Sequence, residues 1–295
     1  MIFAEPLPFA EALAFMQRKR VLPTTLGSAQ LAELDAELKR RAIFSAKVAM
    51  ADHLQLLGEL TEKIAGGLTE EGHAAGSGLG SARDRMISIP EAKAQLLESL
   101  QAKGYLPNID GPLTDLTSDA RLQLQVETNV LDTLGYGRWQ AGNDEVALDV
   151  NPAWELVRMI EAEVPRNWSE RWDAARAASV SEGATDAGSG RMVALKNHPI
   201  WQALGDGAGD YQDTLGNPWP PFAFNSGMNV VDVPREDAIG LGLLGENTRV
   251  PAASLGLNDG LEVSAERWSE ALQGALAADP QLSLLDGVLT TRRAA

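Results

Sequence analysis

The chain has no cysteine in its 295 residues. That absence excludes disulfides, thiolate metal sites, iron–sulfur clusters and cysteine nucleophiles together, so packing alone must hold the fold. Histidine is scarce too. His53, His73 and His198 are scattered, and no pair has the spacing that places two imidazoles on one helix face. Positive charge is short as well, with 25 basic against 41 acidic residues and a formal net charge of −16. A broadly acidic surface repels phosphate, which argues against direct binding along DNA. No stretch approaches the roughly 20 apolar residues that span a bilayer. Met1–Pro6 offers no basic segment leading into an apolar run, so no signal peptide and no membrane partner are expected.

What is present is an ordinary hydrophobic content, 44%, arranged mainly at helical spacing. Residues 8–20 read as a short helix with Phe9, Leu13 and Met16 on one face. Residues 28–64 read as helical with a break near Arg41, and Ile43, Met50, Leu54, Leu57 and Ile64 form its apolar stripe. Gly66 and Gly67 end that run, and the Gly/Ser-rich stretch 66–85 reads as a linker. Ser88-Ile89-Pro90-Glu91 is a capping box opening a helix that stops at Gly104. Asn108 to Pro112 is a turn cluster. Further helices are expected over 118–134, from Asn151-Pro152 through Trp154, Val157 and Ile160, over 169–178, over 234–241, and over 265–277 with Ser264 as cap. Residues 180–191 read as mobile. Met228–Val233 is the best strand candidate. The expectation is a mainly α fold with a small β component (α+β). Its parts are a helical N-terminal region (1–115), a compact turn-rich core (116–245) and a C-terminal tail with one helix (246–295).

Catalytic constellations are not found in the sequence. Gly240-Leu241-Gly242-Leu243-Leu244-Gly245 matches the dinucleotide fingerprint literally, but it follows a helix and lacks a βαβ unit. No G-x-S-x-G elbow is present. Asp206, Asp210 and Asp213 fall within eight residues, yet their spacing departs from an EF-hand loop and reads as turn chemistry in preference to a cation site. Arg18-Lys19-Arg20 and Lys39-Arg40-Arg41 read as cations at helix C-termini. Glu127, Asn129 and Arg138 are candidates for a structural polar network. No catalytic, metal-binding or cofactor residue is assigned, and the chain is not expected to be an enzyme.

The segment Asn217–Met228 stands apart. Pro218, Trp219, Pro220, Pro221, Phe222 and Phe224 make it a stiff aromatic ribbon, incompatible with a helix interior or a central strand. Such a ribbon either covers a core or presents rings to a partner. Trp201, Trp219, Pro220, Pro221, Phe222, Phe224, Asn225 and Met228 are therefore the candidate interaction or structural residues.

Taken in order, several landmarks resemble the phage head morphogenesis proteins, the family of the minor head protein F of phage Mu. They are Pro8–Met16 with Leu22-Pro23, Arg41–Val48, Glu127-Thr128-Asn129, Gly137-Arg138-Trp139-Gln140, and His198-Pro199-Ile200-Trp201 through to Phe222-Ala223-Phe224-Asn225-Ser226-Gly227-Met228. The resemblance covers about residues 5–245. It implies a minor head protein of a tailed bacteriophage, assembled in the host cytoplasm and resident in the virion near the portal vertex or head interior. Its expected partners are the portal protein and the major capsid or scaffold protein. Alternatives are a head–tail adaptor or connector, and a toxin-like enzyme related to the same family. About fifty residues follow Gly245, too few for an added catalytic domain of ordinary size. Many relatives carry a His- and Cys-containing C-terminal motif. Without cysteine, no metal role carries over.

Overall fold

The computed structural model describes residues 8–67, 87–160, 166–180, 182–253, 255, 262–264 and 282–291. His73, the linker expected over 66–85 except for Gly66 and Gly67, and the helix expected over 265–277 lie outside them. The fold is α+β, mainly helical with small sheets. The chain folds as two compact units. One comprises residues 1–34, 41–137 and 261–295; the other comprises 35–40 and 138–260.

In the first unit, α1 (Pro8–Arg18), β1 (Arg20–Val21), α2 (Ser28–Ala32), α3 (Ala36–Arg41, whose first five residues belong to the second unit) and β2 (Ala42–Ile43) come in sequence. Of these, α2, α3 and β2 interrupt the helical run expected over 28–64; the expected break near Arg41 is present, and helix resumes at Ala51. The chain leaves helical geometry after Ala32 and again after Arg41, and β1 and β2 pair in parallel through Arg20↔Ala42 and Val21↔Ile43. Helices α4 (Ala51–Gly67), α5 (Ile89–Ala102) and α6 (Asp119–Gly142) follow. Leu54, Leu57, Leu60 and Ile64 of α4 close on Leu96 and Leu100 of α5 and on Leu122, Val126 and Val130 of α6, which is the apolar stripe doing what its spacing implies. The capping box forms as expected: Ser88 Oγ accepts from the Glu91 amide, and the Glu91 carboxylate accepts from the Ser88 amide at 2.7 Å.

Helix α6 runs through Gly135 and Gly137, where the sequence suggested it would loosen. Tyr136, between them, stacks on Phe15 with ring centroids 4.3 Å apart. Such packing outweighs the roughly 1 kcal/mol a glycine costs in a helix interior. Lys19, expected as a dipole-facing cation, is instead buried in an ion pair with Asp132.

In the second unit, α7 (Glu145–Val150), β3 (Ala153–Arg158), α8 (Trp168–Ala178), β4 (Val193–Leu195), α9 (Ile200–Asp206), β5 (Met228–Val233) and α10 (Arg235–Gly240) follow. Residues 153–158, expected as helix, are the central strand of an antiparallel sheet of order β4-β3-β5. Both sheet faces are covered. Ala153, Val193 and Val233 join an aliphatic cluster with Leu148, Ala238, Leu243, Leu244 and Val250. On the other face Trp154 stands beside Ala194 and Asp232 in register and meets the aromatic residues described below. The region 182–191, read as mobile, is built: Ala184 bridges to Ala194, and a short 3-10 turn spans Ala187–Ser189. A further small sheet, order β6-β8-β7, belongs to the first unit and comprises β6 (Glu262–Ser264), β7 (Leu282–Leu285) and β8 (Val288–Thr291). Ser264 thus lies in a strand.

Candidate functional site

Two loops, one in each unit, carry the most unusual side-chain arrangements. The aromatic ribbon of the second unit is interior. Every residue from Thr214 to Ala223 is buried, and Trp219 and Phe222 have no exposed surface. Proline explains why so irregular a segment can sit there. A buried backbone N–H without a partner costs free energy, and Pro218, Pro220 and Pro221 have none to satisfy. Several of the other groups are paired. Leu215 N–H donates to Phe222 O at 2.9 Å, Phe224 N–H to Asp213 O at 2.9 Å, Gly216 N–H to Gly205 O at 2.8 Å, and Ser226 Oγ donates to Pro221 O. The Pro220–Pro221 peptide is cis. Phe222 adopts a left-handed φ of +57°, held by the burial of its ring.

Trp201 is the hub of this core. Its ring lies 5.8 Å from Trp154, 5.4 Å from Trp172 and 5.9 Å from Phe222, and Trp219 lies 5.7 Å from Trp139. The indole N–H groups are spent on fixed acceptors: Trp201 on Leu195 O, Trp172 on Thr185 O and Trp154 on Asp232 Oδ1. Two glycines permit the fit. A Cβ on Gly205 would collide with the Asn217 carbonyl oxygen, and one on Gly216 (φ +79°) would lie 2.9 Å from Ala36 Cα. Met228 is buried, Phe224 half-buried and Asn225 exposed. Of the eight candidate residues only Asn225 lies fully on the surface, so the rings are interior and not displayed.

The flanks of the ribbon are polar. Arg171 forks onto Asp213 at 2.7 and 3.0 Å, and Arg166 Nε reaches the same carboxylate at 3.0 Å. Burial pushes the Asp213 carboxyl up, but the two guanidiniums together hold it below its ordinary range. Asp213 is therefore committed to arginine, Asp206 accepts from Gln202 at 2.7 Å, and no group of three His, Asp or Glu suited to a metal occurs among the described residues. His198 is a structural hydrogen-bonder: Nδ1 accepts from the Ile200 amide at 3.0 Å, which leaves Nε2 to donate to Glu182 O. Arg40 is buried, with Nε donating to Gly216 O at 2.9 Å and Nη2 to Gln202 Oε1.

The proposed polar trio does not act as one. Glu127 accepts from Gln123, Asn129 Nδ2 donates to Gln125 O at 2.8 Å, and Arg138 Nη1 donates to Asn229 Oδ1 at 2.9 Å. A buried polar cluster the sequence did not reveal lies in the first unit instead. Ser45 Oγ accepts from Arg121 Nη2 at 2.6 Å and from Gln125 Nε2 at 2.8 Å, beside buried His53. Burial pushes the His53 imidazole down, partly offset by Gln125.

The second unusual loop is Gly104–Thr117 of the first unit, between α5 and α6. Its Thr117 hydroxyl faces inward, while Asn108, Asp110 and Thr114 are exposed. Thr117, almost fully buried, accepts from the Asn108 amide at 3.0 Å and reaches Leu106 O at 3.1 Å and Asp115 Oδ1 at 2.9 Å. Asn108 Nδ2 donates to Asp115 Oδ2, Ser118 Oγ to Pro112 O, and the Asp119 amide to Ile109 O. Its large apolar side chains are outside: Leu106 is 85% exposed, and Tyr105, Ile109 and Leu113 are 41–50% exposed. The sequence marked this stretch only as turns. The available hint was four large apolar residues interspersed with Gly and Pro, with no period that would bury them.

Comparison of the chain with family models, with curated proteins and with solved structures returns no match.

Proposed function

We propose that this chain is a minor head protein of a tailed bacteriophage, and that it docks on the portal protein through the Gly104–Thr117 loop during head assembly. The observation that carries the reading is the inverted loop. A hydrogen-bonded loop that keeps Thr117 and Ser118 inside and holds Tyr105, Leu106, Ile109 and Leu113 outside spends apolar surface on solvent. Fixed apolar side chains on a surface are the usual mark of a protein partner. The order of sequence landmarks supplies the identity of that partner. The charge of the chain supplies its chemistry: at −16, a second copy is repelled, and an apolar groove rimmed by basic residues is favoured. No helix among the described residues is long and apolar enough to cross a membrane.

The test is co-purification with the portal protein, followed by particle analysis. Leu106→Asp with Ile109→Asp is expected to leave the circular dichroism unchanged, to weaken portal binding at least tenfold and to deplete the protein from purified heads. Unchanged incorporation of the folded double variant sinks the docking assignment. A stable homo-oligomeric ring in light scattering would favour a connector instead.

A further inference from the structure

Against the acidity of the whole chain, one place in the second unit is locally basic. Arg158 ends β3, Arg166 precedes α8 and Arg171 lies within α8, and together they face the flank of the ribbon. Asp213 is the carboxylate two of them share: it pairs with Arg171 through two bonds and with Arg166 through one. Arg166 Nη2 donates to Phe224 O at 2.7 Å, while its Nη1 is shielded from solvent and has no acceptor. Arg158 is exposed and makes only long contacts, 3.4 Å to Ser226 O and 3.5 Å to Arg166 O. Arg171 is fully engaged, stacked on Tyr211 at 4.1 Å and near Trp168 at 5.2 Å.

Arg166 and Arg171 thus share one carboxylate with Arg158 beside them, and Arg158 and Arg166 hold donors in reserve. Like charges so placed disfavour one another: burial lowers the pKa of Arg166, Asp213 raises it, and Arg171 and Arg158 lower it further. An arrangement with two surplus positive charges and an unspent buried donor is completed by an anion.

We propose that Arg158 and Arg166 form an oxyanion site whose ligand is a phosphate group. The exposed Arg158 fork matches phosphate oxygens two at a time, Arg166 adds its one unspent donor, Nη1, and Asp213 fixes the Arg166 stem so that little is lost in ordering it. The group could come from free phosphate or from a phosphodiester strand; both present the same oxygens. The inference goes beyond the head-protein reading and stands without it.

Calorimetric titration of the whole chain with inorganic phosphate, and separately with a short single-stranded DNA oligonucleotide, tests it at matched ionic strength. Arg158→Gln removes an exposed side chain with no carboxylate partner among the described residues and is expected to fold as the parent. It should weaken phosphate binding at least tenfold. Arg158→Lys, which keeps the charge and loses the fork, should fall between. Oligonucleotide binding that Arg158→Gln abolishes assigns a phosphodiester; phosphate binding alone assigns a free phosphate or monoester. Absence of binding by both probes, or affinity indifferent to both Arg158 variants, overturns the site.

Discussion

The ribbon at 214–223 and the loop at 104–117 are built from similar material and end up inside out relative to each other. Both are irregular, both contain prolines, and both carry large apolar side chains. The ribbon buries its rings because three of its residues bring no N–H into the interior and the amides of Leu215, Gly216, Phe222 and Ala223 find carbonyl partners. In the loop the amides of Asn108, Gly111, Asp115 and Thr117 pair with Thr117, Asp115 and neighbouring carbonyls, while Leu106 and its neighbours face water. Where backbone hydrogen bonds can be closed decides which way an irregular segment faces, more than how hydrophobic it is.

The comparison can be broken most forcefully from the ribbon. Trp219→Ala, opening a cavity beside Trp139, should cost about 3–5 kcal/mol and lower the thermal midpoint of the second unit while the first unfolds as before. A loss under 1 kcal/mol in chemical denaturation would refute the account of the ribbon as core. Next come two changes that test the hydrogen-bond argument itself. Pro218→Ala adds an amide to a buried position, and Thr117→Val deletes the hydroxyl that closes the loop. Each should cost about 1–3 kcal/mol, the price of a buried group left unpaired. If Pro218→Ala is neutral, missing donors are not what lets the ribbon go inside.

A smaller effect sharpens the comparison between units. Burial pushes both His53 in the first unit and His198 in the second below the ordinary 6.5, so each folded unit takes up a proton less readily than its unfolded chain. Stability is then fully present above pH 6.5 and declines as pH falls through the depressed folded values. The slope is at most about 1.4 kcal/mol per pH unit for each histidine. His53→Gln should remove that slope from the first unit alone, as read from thermal melts between pH 7.5 and 5. The smallest expected change is Leu106→Ser. A side chain so exposed should alter stability by no more than about 0.5 kcal/mol, and a larger loss would mean the loop packs against something within its own chain.

Much of the fold was legible because the chemistry is local. The Ser88–Glu91 capping box, the stop at Gly104 with φ +88°, and the alternating Met228–Val233 strand each carry their cause within a few residues. Residues 153–158 were misread because Trp154, Val157 and Ile160 fit a helical period. Burial on both sheet faces removes the alternation that marks a strand, and only pairing with β4 and β5, far along the chain, settles the matter. The ribbon's residues were singled out correctly as exceptional, but proline and aromatic content alone do not say whether rings face in or out. The arginine cluster was invisible for the same reason: Arg158, Arg166 and Asp213 are brought together by the fold and not by spacing.

Arg40 carries a consequence for how the molecule is made. Its guanidinium closes on the Gly216 carbonyl, 176 residues later, and residues 35–40 belong to a unit whose remainder begins at residue 138. On the ribosome, that short piece emerges early and must wait for most of the chain before it has anything to clasp. A recombinant fragment starting at residue 138 would lack its clasp altogether, and supplying residues 35–40 as a separate peptide should restore thermal stability to it.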